Sequence, residues 1–323
     1  MSMIAVRQHQ HGDIDQLHPE QVDIPQPGPG QVLIRLHAAG VNPVDTYIRA
    51  GTNGYSAAMP HTPGLDGAGI IEALGDDQHH FQKGDRVYVA GTITGTSAQY
   101  ALARIDQVHP LPDNVSFEQG ACLGIPCATA WRALFQRGQA KAGETVLIHG
   151  ASGAVGLAAV QLALAAGLTV IGTAGTEQGR ELIRQQGAHL VLDHHDDTHL
   201  EELLAWTHGK GVNLTLEMLA NINLGHDLSA LAFGGRVVVI GSRGTVTINP
   251  RDLMKRDASI VGMSLFNASA DEMNSIHAAL YAALASKTLQ PVISKSFPLG
   301  RLGEAHTAVL EPGAQGNIVV TIE

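Results

Sequence analysis

Aromatic and basic residues are scarce in this sequence. Aromatic side chains make up 4% of its 323 residues, and 20 lysines and arginines face 30 aspartates and glutamates, which gives a formal net charge of −10. Proteins that bind nucleic acid stack bases on aromatic rings and neutralise phosphates with basic side chains. The composition therefore argues against a nucleic-acid partner, and the hydrophobic share of 44% is typical of a tightly packed globular protein.

Cysteine is equally scarce, since Cys122 and Cys127 are the only two. Two cysteines cannot build a disulfide scaffold, and their spacing is not that of a metal site. Both lie in an apolar run that predicts core packing. Residues 1–12 lack an apolar stretch of signal-peptide length, so we expect a cytoplasmic protein.

No apolar stretch predicts a membrane span. The most apolar segment, 154–172, contains Gln161 and Thr169 and is broken by three glycines. It predicts a buried helix at 155–166, ended by Gly167, and then a strand at 169–173. We therefore expect no membrane partner.

A glycine-rich turn precedes this helix. Residues 146–148 form an apolar strand, and Gly150, Gly153 and Gly156 follow it at the spacing of a dinucleotide-binding turn. The first glycine allows a tight turn, the second lets the backbone approach a pyrophosphate, and the third lets the helix pack closely on its sheet. Together with the next helix and strand, the turn completes the βαβ unit that this motif requires.

Strands and helices continue to alternate beyond this unit. The pattern predicts strands at 190–193, 213–218, 236–240 and 259–265, with helices at 178–186, 200–207 and 224–232 between them. Such alternation builds a doubly wound parallel Rossmann sheet, an α/β fold whose ligand lies at the carboxyl ends of the strands. The last strand would be an uncovered apolar edge, from which we expect a homodimer or a higher homo-oligomer.

The two ends of the chain have a different pattern. Short strands such as 31–36 and 86–90, separated by turn clusters, predict an antiparallel, barrel-like domain over 1–122. The last strand, 317–322, needs a partner, so we assign 266–323 to the same domain. Residues 123–265 would then be an inserted Rossmann domain, with a cleft between the two bodies.

The end of the second Rossmann strand indicates which cofactor is bound. A carboxylate usually follows this strand in NAD-binding proteins and accepts hydrogen bonds from the ribose hydroxyls. Here Ala174 and Gly175 stand at that place, and no carboxylate occurs before Glu177. These small residues would not repel a 2′-phosphate, so NADPH is favoured. The alternative is that Glu177, or a residue of another loop, binds the ribose of NAD.

Several segments identify a family. The chain resembles the zeta-crystallin-like quinone oxidoreductases of the medium-chain dehydrogenase/reductase superfamily over nearly its whole length. The segments that carry the resemblance are 40–49 (GVNPVDTYIR), 83–87 (KGDRV), 149–156 (HGASGAVG), 172–176 (GTAGT), 218–224 (MLANINL) and 241–244 (GSRG). One departure is Ala154, where many relatives have glycine.

The resemblance implies a barrel-like (GroES-like) catalytic domain built from both chain ends and NADPH as the cofactor. Zinc-dependent members of the superfamily hold a catalytic metal with a cysteine and a histidine. Asn42 stands near the place of that cysteine and Leu65 replaces the histidine, so a zinc-independent member without a metal site is expected.

The function that the resemblance implies is NADPH-dependent, metal-independent reduction of quinones, since an electron-poor acceptor can take hydride from a nicotinamide without a Lewis acid. One alternative is a reductase of α,β-unsaturated carbonyl compounds. Another is a non-catalytic, NADPH-bound binding or structural protein.

Site residues follow from the same resemblance. Tyr47 and Asn42 are the candidate catalytic residues. The expected cofactor-binding residues are Tyr47, Ser152, Gly153, Ala154, Val155, Gly175, His194, Asn223, Ile240, Gly241, Ser242, Arg243, Met263, Ser264 and Leu265.

The residue types leave alternatives open for four of these positions. A tyrosine packed at the barrel edge is the alternative for Tyr47, and turn capping is the alternative for Asn42 and for the nearby Asp45. An exposed loop histidine is the alternative for His194. Arg243 either faces a phosphate or pairs with an acidic neighbour.

Overall fold

The computed structural model describes residues 1–75 and 80–323 and contains two compact units. Unit 1 comprises Met1–Pro126, Leu280–Pro312 and Gly316–Glu323, and unit 2 comprises Cys127–Ala279 and Gly313–Gln315. Residues 266–279, which the sequence placed with the chain ends, therefore belong to unit 2. The reason is a helix, Ala270–Ala285, that runs through the boundary, and Glu272 of this helix pairs with Arg132 of unit 2 at 3.0 Å.

Fifteen strands are present in the described part of the chain. They are β1 (Ser2–Arg7), β2 (His18–Asp23), β3 (Gln31–Val41), β4 (Asp66–Leu74), β5 (Arg86–Ala90), β6 (Tyr100–Arg104), β7 (Val108–Pro110), β8 (Thr145–Ile148), β9 (Thr169–Thr173), β10 (Leu190–Leu192), β11 (Val212–Glu217), β12 (Leu231–Val239), β13 (Ser259–Gly262), β14 (Ile293–Pro298) and β15 (Asn317–Thr321).

Ten α-helices accompany them in the same residues. They are α1 (Pro43–Ala50), α2 (Phe117–Gly120), α3 (Ala128–Trp131), α4 (Ala154–Ala165), α5 (Glu177–Gln185), α6 (His199–Trp206), α7 (Ala220–Ala230), α8 (Pro250–Met254), α9 (Ala270–Ala285) and α10 (Leu302–Ala308). Two π-helical segments, Leu123–Cys127 and Arg132–Arg137, flank α3.

Unit 1 is organised around the long strand β3. Its sheet has the order β14-β15-β3-β4-β5-β7, and β6 also pairs with β3. Residues 31–35 of β3 pair with β6, 32–40 with β4 and 38–41 with β15, all antiparallel. A strand with three partners bends the sheet towards a closed barrel, which confirms the barrel-like domain. The pairing of β15 with β3 gives the last strand the partner that the sequence required.

Unit 2 contains a six-stranded sheet with the order β10-β9-β8-β11-β12-β13. Every neighbouring pair is parallel, and this order is that of a doubly wound Rossmann sheet, as predicted. Apolar side chains from the central strands, such as Leu147, Ile171 and Leu216, are fully buried. All six strands end at the same edge of the sheet, and this carboxyl edge is where the fold binds ligands.

Some boundaries in unit 2 differ from the predicted ones. Helix α7 begins at Ala220 rather than near 224, and β12 begins at Leu231 rather than 236. Strand β13 ends at Gly262, three residues before the predicted end. Glycines at 234 and 235 obscured the start of β12, because glycine usually interrupts a strand pattern.

In the part of the chain that the structure describes, no helix has both the length and the apolar character needed to span a bilayer.

Candidate cofactor-binding site

The turn between β8 and α4 has the conformation that its glycines predict. Gly150 is left-handed, with φ +58°, and the N–H of Gly153 donates to the carbonyl of Gly150 at 3.0 Å. A Cβ at Gly156 would lie 2.5 Å from the carbonyl oxygen of Gly150 and 2.6 Å from Ala151 Cα, so the helix is packed directly on the turn. These contacts confirm the roles of the first and third glycines.

Gly153 has different surroundings. It is the N-cap of α4, and a Cβ built on it would come no closer than 3.4 Å to its neighbours. The following N–H groups of Ala154, Val155 and Gly156 lie in the first turn of the helix, where no intrahelical acceptor exists. Backbone donors beside an open glycine form a cradle for an anion such as pyrophosphate.

The end of β9 brings two histidines over a glycine. A Cβ at Gly175 would lie 2.4 Å from His195 Nε2 and 2.7 Å from His194 Nε2. The two imidazole rings stand edge to face, with centroids 4.7 Å apart. Gly175 and His194, which are both predicted cofactor-binding residues, are therefore brought together, and His195 is an additional residue that the sequence did not indicate. Ala174, in contrast, is 1% exposed and does not line this surface.

Glu177, the alternative ribose ligand, is held by two arginines. Its carboxylate accepts from Arg180 Nη2 at 2.7 Å and from Arg184 Nη1 at 2.9 Å. Hydrogen bonds from Arg184 and Arg180 lower the pKa of Glu177. Arg180 also binds Asp193 at 2.5 Å. Because its oxygens already have charged partners, Glu177 is a poor ligand for a neutral ribose, which favours the NADPH assignment.

The loop after β11 is held by the last residue of that strand. Glu217 Oε1 accepts from the backbone N–H of Leu219 and from Asn223 Nδ2, the latter at 3.2 Å. Asn223 lies in the first turn of α7 rather than in a loop, because the helix begins earlier than predicted. A Cβ at Gly241 would lie 2.4 Å from the carbonyl oxygen of Met218, so the loops after β11 and β12 touch.

The remaining predicted positions of unit 2 follow β12 and β13. Ile240 and Gly241 come directly after β12, and their N–H groups donate to the carbonyl of Glu217. Arg243 is exposed, and its backbone N–H donates to Asn221 Oδ1 at 2.8 Å. The segment from Met263 to Leu265 begins just beyond β13 and is half-buried. Ser242 is exposed beside Arg243, and its hydroxyl donates to the carbonyl of Gly244.

A buried charged cluster lies beneath this edge. His149 Nε2 is 2.7 Å from Asp227 Oδ1 and 3.5 Å from Glu217 Oε2, and all three side chains are at most 4% exposed. Burial would lower the pKa of His149, but the carboxylates of Asp227 and Glu217 outweigh it and raise this pKa. Burial, together with the charge of Asp227, raises the pKa of Glu217 to about 7 despite the opposing charge of His149.

The candidate catalytic residues lie in unit 1, around α1. Asn42 precedes the helix, and its backbone N–H donates to Asp45 Oδ2 at 2.7 Å, so the capping alternative for Asp45 is confirmed. The side-chain amide of Asn42 donates to Asp66 Oδ2 at 3.0 Å and is buried. Tyr47 is half-buried, with its ring beside that of Tyr55. These contacts fix Asn42 in place, and its catalytic role and that of Tyr47 stay predictions.

These residues do not fit a catalytic zinc. The amide of Asn42 is bonded to Asp66, and Leu65 offers no ligand atom. Within residues 1–75 and 80–323, the one group of three histidine, cysteine or acidic side chains close enough to share an ion is His149, Glu217 and Asp227. That group belongs to unit 2, and Asp227 already binds His149 Nε2 at hydrogen-bond distance. The donor set near Asn42 therefore lacks what Zn²⁺ requires.

Comparison with known proteins connects both units to one group of enzymes. The pattern of the alcohol dehydrogenase GroES-like domain matches residues 28–113, and that of the zinc-binding dehydrogenase family matches 154–280. A quinone oxidoreductase from Homo sapiens is 47% identical over 322 residues, which cover 99% of this chain and 98% of the human protein.

Solved structures agree with this result. The Escherichia coli quinone oxidoreductase complexed with NADPH superimposes with a TM-score of 0.87 at 26% identity, over 99% of this chain and 100% of that one. An NAD-dependent alcohol dehydrogenase superimposes with a TM-score of 0.91, also at 26% identity, over 99% of this chain and 100% of that one. The fold is thus shared by proteins that use different cofactors.

Proposed function

Since this chain belongs to the zeta-crystallin-like quinone oxidoreductases of the medium-chain dehydrogenase/reductase superfamily, we propose that it reduces quinones with NADPH. It is an NAD(P)H-dependent oxidoreductase, and NADPH is its cofactor. The preference for quinones over other electron-poor acceptors is the part that we propose. The names of the relatives suggest this preference, and the chemistry of the site supports an electron-poor acceptor.

One observation carries the cofactor site. Every predicted cofactor-binding residue of unit 2 follows the carboxyl end of a strand of one parallel sheet, either in the connecting loop or in the first turn of the next helix. The sets are 152–155 after β8, Gly175 after β9, His194 after β10, Asn223 after β11, 240–243 after β12 and 263–265 after β13. Parallel strands end at one edge, so the sheet gathers residues that are 113 positions apart in the sequence (265 − 152) on one surface.

The chain's own groups then have distinct tasks. The N–H groups at the start of α4 bind the pyrophosphate, and Gly153 leaves room for it. Gly175, His194 and His195 hold the adenosine ribose with its 2′-phosphate. When bound, NADPH supplies a hydride to an acceptor. The protein holds the acceptor in contact with the nicotinamide and provides a hydrogen bond to the acceptor oxygen, with Tyr47 as the proposed donor.

The lack of zinc ligands at Asn42 and Leu65 supports an acceptor that needs no metal. An alcohol must be deprotonated as its hydride leaves, a step that zinc assists in related enzymes. A quinone or a conjugated enone takes hydride directly, because negative charge spreads to its oxygen. Both classes satisfy this requirement, and the names of the relatives favour quinones.

The proposal is tested by following NADPH consumption with a panel of quinones and a matched panel of α,β-unsaturated aldehydes and ketones. We expect turnover with quinones that a zinc chelator leaves unchanged. Turnover restricted to enones would contradict the quinone assignment. Binding of NADPH without consumption by either panel would favour a binding or structural protein instead.

Replacement of Tyr47 by phenylalanine tests the proposed donor. If the hydroxyl stabilises the acceptor oxygen, Tyr47→Phe lowers kcat about tenfold and changes the NADPH affinity less than about twofold. Steady-state kinetics and fluorescence titration measure the two quantities. Tyr281→Phe, at an exposed tyrosine of unit 1, is the control. An unchanged kcat would exclude the donor role.

Assembly and location are also part of the proposal. Strand β13 is the last strand of the parallel sheet and, among the described residues, pairs with β12 alone. An edge strand of this kind can pair with that of a second copy, so we propose a homodimer or a higher homo-oligomer. We also propose that the protein is located in the cytoplasm. Light scattering at micromolar concentration measures the assembly, and a monomeric mass would contradict it.

A further inference from the structure

A polar chain connects the buried cluster to the histidine at Gly175. The hydroxyl Oγ1 of Thr173, a residue that is fully buried at the end of β9, lies 3.4 Å from His149 Nδ1 and 3.4 Å from His194 Nδ1. The same oxygen accepts from the backbone N–H of Gly150 at 3.3 Å. One hydroxyl therefore joins the glycine turn, the buried His149 and the exposed His194.

The directions of these hydrogen bonds follow from the proton on His149. A hydroxyl donates one hydrogen bond and accepts two. With both ring nitrogens of His149 protonated, Nε2 donates to Asp227 and Nδ1 donates to Thr173. Thr173 then accepts from His149 and from Gly150, and its own proton must go to His194 Nδ1. His194 is consequently neutral, with its proton on Nε2.

Loss of the Nδ1 proton of His149 reverses the direction of these hydrogen bonds. A neutral His149 that still donates from Nε2 to Asp227 presents an unprotonated Nδ1, which accepts the hydroxyl proton of Thr173. Thr173 then accepts from His194, whose proton must lie on Nδ1. The Nε2 atom of His194, which faces Gly175, becomes an acceptor and can no longer bind an anion.

The groups around these two rings favour the first arrangement. Asp227 from α7 and Glu217 from β11 face His149 and raise its pKa, whereas His199 from α6 stands edge-on at a ring distance of 6.4 Å. Burial and the neighbouring His195, His149 and His199 lower the pKa of His194, opposed by Asp193. A charged His149 and a neutral His194 are the state that both surroundings support.

We propose that His149 is a positioning residue for NADPH, which acts through Thr173 to hold His194 as the Nε2–H tautomer and so presents an N–H donor to the 2′-phosphate at Gly175. This inference rests on the proposed function for the location of the 2′-phosphate. It adds two residues, His149 and Thr173, that do not touch the cofactor. It also gives the buried cluster of His149, Glu217 and Asp227 a role in the preference for NADPH over NADH.

Replacement of Thr173 tests the hydrogen-bonded connection from His149 through Thr173 to His194. Thr173→Val removes the hydroxyl, and Thr173→Ser keeps it. Thr215→Val is the matched control, because Thr215 is a buried threonine of the same sheet whose hydroxyl has no hydrogen-bond partner among the described residues. Nitrogen NMR of the labelled histidines reports the tautomer in the cofactor-free protein, and His194→Gln identifies the His194 signals. Fluorescence titration gives the affinities for NADPH and NADH.

We expect Nε2–H at His194 in the wild type, in Thr173→Ser and in Thr215→Val, and a mixture of tautomers in Thr173→Val. The NADPH affinity of Thr173→Val should fall about tenfold, with a smaller change for NADH, because a donor to a charged group is lost. In the wild type, the His194 tautomer should change with pH at the midpoint of the His149 titration. This last measurement does not depend on Thr173→Val, so it decides the question even if that variant does not fold.

Three outcomes would overturn the inference. The Nδ1–H tautomer in the wild type at neutral pH contradicts it directly. Equal tautomers and equal NADPH affinities in Thr173→Val and Thr215→Val contradict it while leaving NADPH as the cofactor. Stoichiometric zinc bound to His149 would also overturn it, because the metal would take the place of the Nε2 proton. Failure of the wild type to bind NADPH at any pH would instead contradict the proposed function.

Discussion

Gly153→Val is expected to weaken NADPH binding roughly 100-fold or more, about 3 kcal/mol, while the protein stays folded. The backbone at Gly153 has φ −76° and ψ 174°, which valine adopts without strain. Its Cβ would meet no protein atom closer than 3.4 Å. The added side chain would instead occupy the space beside the first N–H groups of α4, where the pyrophosphate is proposed to lie. Calorimetric titration with NADPH measures the effect.

A substitution in the same turn provides the contrast. Gly156→Ala adds less volume, but its Cβ would lie 2.5 Å from the carbonyl oxygen of Gly150, so we expect a loss of about 2 kcal/mol in the free energy of unfolding. Gly153→Val should lose only about 1 kcal/mol, since valine is a poor N-cap. If both variants bound NADPH as tightly as the wild type, the turn would not be the pyrophosphate site.

Asp45→Asn is expected to remove a large part of the pH dependence of stability. Burial raises the pKa of Asp45 to about 7, although the N–H of Asn42 opposes the shift. The unfolded chain releases this proton near pH 4 and the folded chain keeps it to about pH 7, so unfolding becomes easier as the pH rises through this range. The wild type should lose about 4 kcal/mol at this residue between pH 4 and pH 8.

The substituted side chain carries no charge at any pH, and its amide oxygen still accepts from the backbone N–H of Asn42. Its free energy of unfolding should therefore match that of the wild type near pH 4 and exceed it increasingly up to pH 7. Urea unfolding at pH 4.5, 6 and 8 measures the difference, in which opposite contributions from buried histidines such as His306 cancel. Asp113→Asn, at an exposed aspartate, is the control. A constant difference across this range would show that Asp45 titrates normally.

The sequence predicted the fold well where the pattern is local. The strand 169–173 has the bounds that were predicted, and the glycine spacing identified the turn at 150–156. Prediction was less accurate where a glycine pair interrupts a strand, as in β12, or where a helix crosses a domain boundary, as α9 does. In both cases the local pattern gives no signal, because the deciding contacts are made with distant residues.

The buried cluster shows what the sequence could not reveal. His149, Glu217 and Asp227 are spread over 78 positions (227 − 149) and meet because β8 and β11 are neighbours in the sheet. His149 precedes the glycine turn and Glu217 ends a strand, so each lies next to a predicted site, but nothing in their spacing indicates a contact. A charged residue at the end of an otherwise apolar strand is the one signal that could have been followed.

The pairing of β15 with β3 has a consequence for the order in which the polypeptide matures on the ribosome. Unit 2 is nearly continuous in the sequence, so its sheet can assemble while the nascent chain is still growing. The sheet of unit 1 must wait for residues 317–321, which follow unit 2 in the sequence. Until they emerge, one edge of β3 is exposed to other chains, and chaperones that shield such edges should associate with the nascent protein during that interval.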